Sequence, residues 1–386
     1  MNAMSHQSTR LPLETLETPA LLLDEARMNR NIARMQAQMK RLGVSFRPHV
    51  KTNKCIDVAR RIMSTPTGPI TVSTLKEAEY FAAHGVRDIL YAVSIAPNKF
   101  AHALKLLRSG VQLTLILDSM ETAQLLAAFA QTSNTRFEVM LEIDSDGHRS
   151  GLAPEAAELV PIAAYLHSAG LVVKGVMTHA GSSYDCPTLD GVRAMAEQER
   201  AAVVRAAERL REAGLPCPVV SVGSTPTALF AEQLEGVTEV RAGVFVFFDL
   251  VMAGINVCTV DELALSVLGT VIGHQAEKGW TLIDAGWMAM SRDRGTAKQA
   301  VDQGYGLVCD LDGTPLDDLI LVGANQEHGI VAHRDGRLAG VTHLPVGTQL
   351  RIMPNHACAT AAQFPHYHVI DSERQVQETW SRFHGW

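Results

Sequence analysis

A lysine placed where a strand gives way to a helix can serve as a nucleophile, and the stretch Arg47-Pro48-His49-Val50-Lys51-Thr52-Asn53-Lys54 offers one. Val44, Phe46 and Val50 are apolar and β-prone, and Lys54 to Met63 has helical spacing, which puts Lys51 at the C-terminal mouth of a strand. Desolvation there favours the neutral amine, and a neutral amine condenses with an aldehyde to a Schiff base. An exposed strand-end lysine without chemistry is the plainer alternative. The balance rests on what else the chain carries.

Two loops, Val222-Gly223-Ser224-Thr225-Pro226 and Arg241-Ala242-Gly243-Val244, follow the seventh and eighth strands of the pattern set out below. Barrel enzymes commonly hold a phosphate there. Gly223 and Gly243 let the backbone approach an anion, Ser224 and Thr225 add hydroxyl donors, and either hydroxyl can cap the helix that follows. A plain turn with an N-cap would use the same residues. His179, in Met177-Thr178-His179-Ala180-Gly181, ends the sixth strand and is suited to pack its flat ring against a flat cofactor ring. Tyr184, on the same loop, is placed to hydrogen-bond that cofactor. Asp144, Asp146, Gly147, His148, Arg149 and Gly151 form either a charged floor after the fifth strand or a solvated loop, and Arg149 is the residue singled out from them.

His356 and Cys358 lie in Met353-Pro354-Asn355-His356-Ala357-Cys358-Ala359-Thr360. On extended chain such a pair shares one face and can bind one metal ion. Imidazole plus thiolate suits zinc, and open coordination positions are what a catalytic ion needs. Gln326-Glu327-His328-Gly329 is a candidate for a base, an outer-sphere group or a further ligand, or is a surface turn.

The elements that must position these residues alternate regularly. Strands are expected over Val44–His49, Ile70–Ser73, Ile89–Val93, Leu113–Leu117, Phe137–Ile143, Val172–His179, Val219–Val222 and Val237–Val240. Helices are expected over Leu75–His84, Asn98–Arg108, Ser119–Ala130, Pro154–Ala169, Leu189–Ala213 and Pro226–Glu232. That alternation is the pattern of an α/β chain forming a (β/α)8 barrel. The rival, an open doubly wound sheet, would carry a G-x-G-x-x-G turn after its first strand, and the sequence has none there. Beyond Phe248 helical periodicity fades, and Leu263–Ile272, Thr281–Asp284, Ile330–His333 and Gln349–Ile352 alternate between Gly, Asp and Pro turns. The expected organisation is a tail over 1–17, a barrel over 18–250 and a mostly β C-terminal domain over 251–386 bearing His356 and Cys358. The short strand Ala20–Leu23 can join either body.

The chain has 386 residues and a formal charge of −7, without a Lys/Arg-rich run, which argues against nucleic acid and acidic membrane surfaces as partners. No apolar segment reaches membrane-spanning length, and Met1 to Leu13 lacks the apolar core of a signal peptide. Cys55, Cys186, Cys217, Cys258, Cys309 and Cys358 have no framework spacing, so reduced thiols and a cytoplasmic setting are expected.

With these stretches assembled, the chain resembles the fold type III pyridoxal-phosphate enzymes, the alanine racemase-like barrel followed by a β domain. Within them it is similar to the D-serine dehydratase and D-threonine aldolase group. The resemblance covers Thr18 to Trp386 and rests on Arg47 to Thr52, Glu142 to Gly151, Thr178 to Tyr184, Val222 to Thr227, Val240 to Val244 and Pro354 to Thr360. It implies that Lys51 is the Schiff-base lysine, that His179 lies near the pyridine ring, and that Gly223, Ser224, Thr225 and Gly243 surround the phosphate. It implies that Arg241 faces the ring nitrogen and that His356 and Cys358 hold a divalent metal, zinc first, with manganese and cobalt as alternatives. Aldolases of the group carry Asp in place of that cysteine, so Cys358 favours dehydration, and the racemases' catalytic tyrosine has no counterpart. The activity implied is conversion of a small D-3-hydroxyamino acid to a 2-oxo acid and ammonia by a homodimer. Retro-aldol cleavage to glycine and an aldehyde is the rival, and a non-catalytic carrier of the cofactor is a more distant one.

Overall fold

The computed structural model describes residues 11–338 and 344–386. Two compact units emerge: Arg34–Gly243 with Gly385–Trp386, and the described residues up to Ala33 with Val244–His384. Of the tail expected over 1–17, positions 1–10 lie outside the described residues. Leu11–Pro12 pairs antiparallel with Gln375–Ser381, and Leu13 is fully buried. No described helix is long and apolar enough to cross a membrane.

In the first unit the described residues form an eight-stranded sheet of Ser45–Phe46, Ile70–Val72, Asp88–Ser94, Gln112–Leu117, Glu138–Ile143, Val172–Thr178, Val219–Val222 and Glu239–Val240. Every pairing between these strands is parallel. The two edges meet through a parallel bridge between His49 and Thr71, in which Val50 N–H donates to Thr71 O at 2.9 Å and Thr71 N–H to Pro48 O at 2.8 Å. The sheet is therefore a closed ring, as the alternation of strands and helices predicts. The first strand is shorter than expected because Pro48 has no N–H to give to a ladder. The chain still tracks its neighbour through Arg47 N–H to Val240 O and His49 N–H to Ala242 O.

Helices return each strand to the next. Several start where a hydroxyl can cap them: Thr74 accepts from Glu77 N–H, Ser119 from Thr122 N–H, Thr188 from Gly191 N–H and Ser224 from Thr227 N–H. The helix expected from Pro154 begins instead at Leu159, since Pro161 is tolerated only in a first turn. Leu90, Ile116, Met140 and Met177, on successive strands, make one buried cluster.

In the second unit Leu265–Gln275, Trp280–Ile283, Gly329–His333, Pro315–Ala324, Leu307–Cys309 and Gln349–Met353 pair antiparallel in that order, and the last returns to the first. The six form a second closed ring, of a different kind, in which the helices between strands, among the described residues, are only the short turns Ala276–Lys278 and Trp287–Met290. Ala20–Asp24 extends it, hydrogen-bonded between Leu265–Gln275 and His366–Ile370.

Gly175 shows how tightly the parallel ring is drawn. Its φ is +144°, and a Cβ there would fall 1.8 Å from Val219 O on the next strand. Gly175→Ala is expected to cost about 3 kcal/mol through strain and forced strand separation. Denaturant unfolding checks it: a variant as stable as the parent would mean that the two strands are not so closely apposed.

Candidate active site

Lys51 stands one residue beyond the seam that closes the parallel ring, in a turn, with its side chain exposed. The ring order places the strand Glu239–Val240 on one side of this turn and Ile70–Val72 on the other. Two histidines feel its charge. His49 is held well below the usual imidazole range by burial, then by Lys51, Arg241 and His179. Burial, with Lys51, Arg149 and Arg241 adding repulsion, pushes His179 down to about 3. His179 is therefore neutral near pH 7. Its Nδ1 lies 2.7 Å from Gly223 O, and a carbonyl can only accept, so the ring is the Nδ1–H tautomer. The Tyr184 ring lies 6.2 Å from it, tilted by 46°.

The loops carrying these groups are clamped by a residue that the sequence did not single out. Glu199, buried on the helix Leu189–Glu212, accepts Ala180 N–H and Gly223 N–H on one oxygen, each at 3.0 Å. One carboxyl thus ties the loop after His179 to the loop that starts the Ser224 cap. Burial raises its pKa, opposed by Thr227, the two amides and Arg241. Its signal was present: Glu199 occupies the stripe of Val192, Ala196, Val203 and Leu210, the buried face of an amphipathic helix. A carboxyl in an apolar stripe has to be satisfied from elsewhere in the fold.

Ser224 closes a capping box with Thr227, and its hydroxyl also meets Ser183 Oγ at 2.9 Å. Thr225, buried, is the first helical residue. Chain packing by itself demands both glycines of the expected phosphate loops. A Cβ on Gly223 would sit 1.8 Å from Arg241 O, and one on Gly243 would sit 2.7 Å from His49 O. Arg241 is buried, with Nε donating to Ser221 Oγ at 2.9 Å and Nη2 to Thr178 O. Ser221 donates to Glu239 at 2.8 Å, and the other oxygen of Glu239 takes Arg47 Nε at 2.7 Å. Arg47 reaches on to Asp88 at 2.6 Å. Burial lowers the Arg241 pKa, while Glu239, Glu199 and Glu142 support the charge.

The loop after Ile143 divides into residues that shape turns and an exposed arginine. Asp144 accepts Asp146 N–H and Gly147 N–H, and Asp146 takes Ser182 N–H at 2.7 Å, so these carboxylates shape loops. Arg149 is 59% exposed, with Glu142 3.9 Å away.

In the other unit, His356 is extended, but Cys358 is not. It sits in the first turn of the helix Ala357–Ala361, which corrects the expectation of an extended His-x-Cys pair. The alanine-rich segment helps this turn to form, and Asp249 caps it by accepting Ala357 N–H at 3.0 Å. The two side chains are nonetheless hydrogen-bonded. Asp293 Oδ2 lies 2.7 Å from His356 Nδ1, an orienting contact of the kind that presents the other ring nitrogen to a metal. Burial opposes the imidazolium, yet Cys358 and Asp293 outweigh it and push His356 up to about 11. Asn355 donates to Asp293 O and Gly304 O and accepts Thr296 Oγ1, which anchors the loop. Among the described residues no group of three or more His, Cys, Asp or Glu is disposed to hold a metal ion. A soft pair with open positions is what the chain offers. Gln326 to His328 is the exposed end of a hairpin, with Asn325 N–H donating to His328 O at 2.8 Å, while Gly329 is buried and begins the next strand.

Two family models match in sequence: the alanine racemase N-terminal domain over residues 23–251 and the putative serine dehydratase domain over residues 264–370. D-threo-3-hydroxyaspartate dehydratase of Delftia sp. (strain HT23) is 59% identical, across 97% of this chain and 99% of that protein. A solved structure of a histidine-to-alanine mutant of D-threo-3-hydroxyaspartate dehydratase matches with a TM-score of 0.96 at 57% identity, covering 98% of each chain. A cysteine-to-alanine mutant in the metal-free form matches at 0.95 and 57%, covering 97% of this chain and 100% of that one.

Removing the clamp should leave two buried amides without an acceptor. Glu199→Ala is expected to cost about 3 kcal/mol, and Glu199→Gln, which keeps one acceptor oxygen, distinctly less. Equal unfolding midpoints for the two variants would show that the carboxyl is not what joins the loops.

Proposed function

The chain belongs to the family that joins an alanine racemase N-terminal domain to a serine dehydratase domain, and from that premise we propose that it is a pyridoxal-phosphate- and metal-dependent lyase. It converts a D-3-hydroxyamino acid, D-threo-3-hydroxyaspartate first and D-serine second, to a 2-oxo acid and ammonia. The observation that carries this reading is 59% identity to a D-threo-3-hydroxyaspartate dehydratase along essentially the full length of both chains.

The residues present fit the cofactor. An exposed primary amine, a neutral imidazole and a buried guanidinium come from the turn or strand ends of one ring, beside a capped helix start. Bound there, pyridoxal phosphate supplies an aldehyde for covalent capture of an amino group and a ring that accepts electrons. We assign Lys51 as the residue that would hold it and whose amine, when free, would take the proton from the substrate's Cα. His179, uncharged and fixed by Gly223, offers a flat face for stacking. Arg241, immobilised by Ser221 and Thr178, keeps a positive charge where the ring nitrogen would otherwise take a proton. Gly223, Ser224, Thr225 and Gly243 line the phosphate, while Tyr184 and Arg149 bind from the loops.

For the metal, the two solved mutants substitute a histidine and a cysteine two positions apart, which is the spacing of His356 and Cys358. That supports this pair as the ligands, oriented by Asp293. A divalent ion held there would supply Lewis acidity for a departing 3-hydroxyl. Imidazole and thiolate favour zinc, with manganese or cobalt as alternatives. No disulfide joins the described cysteines, which supports a reducing, cytoplasmic setting, and a homodimer is the assembly that the fold type III resemblance suggests.

Product analysis tests the reaction. D-threo-3-hydroxyaspartate should yield ammonia and oxaloacetate; glycine and glyoxylate instead would mean retro-aldol cleavage. Lys51→Ala should abolish the visible absorbance of the bound cofactor. His356→Ala and Cys358→Ala should keep that absorbance and lose bound metal and at least about 100-fold in turnover. Full activity in either would remove the metal from the reaction.

A further inference from the structure

Two hydroxyls beside the Lys51 turn have no use within the fold. Thr71 is fully buried, and both of its backbone groups are spent on the seam, N–H on Pro48 and C=O on Val50. Its Oγ1 nevertheless has no hydrogen-bond partner. Ser73, two residues on, gives its N–H to Glu77 at 2.8 Å, and its buried Oγ is likewise without a partner. A buried hydroxyl left unpaired is destabilising, so a pair of them on one strand end marks a place where a bound group can supply the acceptor.

The connectivity of pyridoxal phosphate says which atom that acceptor is. On its ring the carbon bearing the aldehyde has the phenolic carbon on one side and the carbon carrying the phosphate arm on the other. With the aldehyde at Lys51 and the phosphate arm toward Gly223 to Thr225 and Gly243, the arm leaves on the flank of Val219–Val222 and Glu239–Val240. The phenolic oxygen then faces the opposite flank of the same turn, and the strand there is Ile70–Val72. We propose that Thr71 and Ser73 form the subsite that receives this oxygen, both hydroxyls donating to it. The proposal rests on the assignment of Lys51 and the phosphate loops made above.

The test uses the full-length apoprotein and a pair of ligands, pyridoxal phosphate and its 3-deoxy analogue, which lacks only that oxygen. The parent should bind pyridoxal phosphate about tenfold more tightly than the analogue, and Thr71→Val should erase most of that preference. Ser73→Ala should reduce it, and the double variant should show none. Melting of the cofactor-free forms gives an independent readout: Thr71→Val, having lost only an unpaired hydroxyl, should melt no lower than the parent. A parent-like preference in both single variants would overturn the subsite. So would a Thr71→Val apoprotein that melts lower while keeping its preference, because the hydroxyl would then be serving the fold. Lys51→Ala separates this from the larger reading. If that variant still holds pyridoxal phosphate covalently, the site assignment fails; if it does not and only the hydroxyl variants are silent, the subsite alone fails.

Discussion

The backbone hydrogen bonds from Val50 to Thr71 and from Thr71 to Pro48 close the parallel sheet, and the rest of the barrel's chemistry follows from that closure. Parallel strands cannot be joined by hairpins, so each is separated from the next by a returning helix, and all strand C-termini emerge at the same end. Lys51, His179, the Ser224 cap and Arg241 lie far apart in sequence. They share a mouth because the ring brings the ends of their strands around it. If the seam opened, Lys51 would be left on a free edge, with Ile70–Val72 no longer beside it.

Closure also buries charge, and the charge is met in pairs. Arg241 leans on Ser221, Ser221 on Glu239, and Glu239 on Arg47, which ends on Asp88. Each link satisfies a donor or an acceptor that burial would otherwise penalise, so Arg241 has little freedom to relax. Burial first, and the same cationic neighbourhood after it, keeps His49 and His179 neutral. Glu199 completes the arrangement from outside the strands by holding the two loops whose relative position sets the His179–Gly223 contact.

The antiparallel unit solves a different problem. Its antiparallel strands close without a returning helix after each one, and its functional side chains sit on connecting segments and need separate anchoring. Asn355, Asp249 and Asp293 supply it, fixing the backbone on either side of His356 and orienting the imidazole itself. The pairing of a histidine on extended chain with a cysteine in a helical turn is a product of this anchoring.

Much of this protein was legible in the linear chain. Alternating apolar runs and amphipathic helices dictate the parallel barrel, because period and segment length follow from local geometry. The order of motifs around Lys51, His179, Gly223, Arg241 and His356 indicated which chemistry to look for. What the chain could not disclose is how groups distant in sequence satisfy one another. Glu199 had the look of one more helix residue, the glycines at 223 and 243 suggested an anion when strand packing already demands them, and Cys358 was expected on extended chain. Thr71 and Ser73 gave no sign at all, since a hydroxyl is conspicuous only once its surroundings are known to be dry. Secondary structure and motif identity are properties of neighbours along the chain, and the sequence determined them. Which buried donors find an acceptor depends on closure of the ring, and only the tertiary structure decided that.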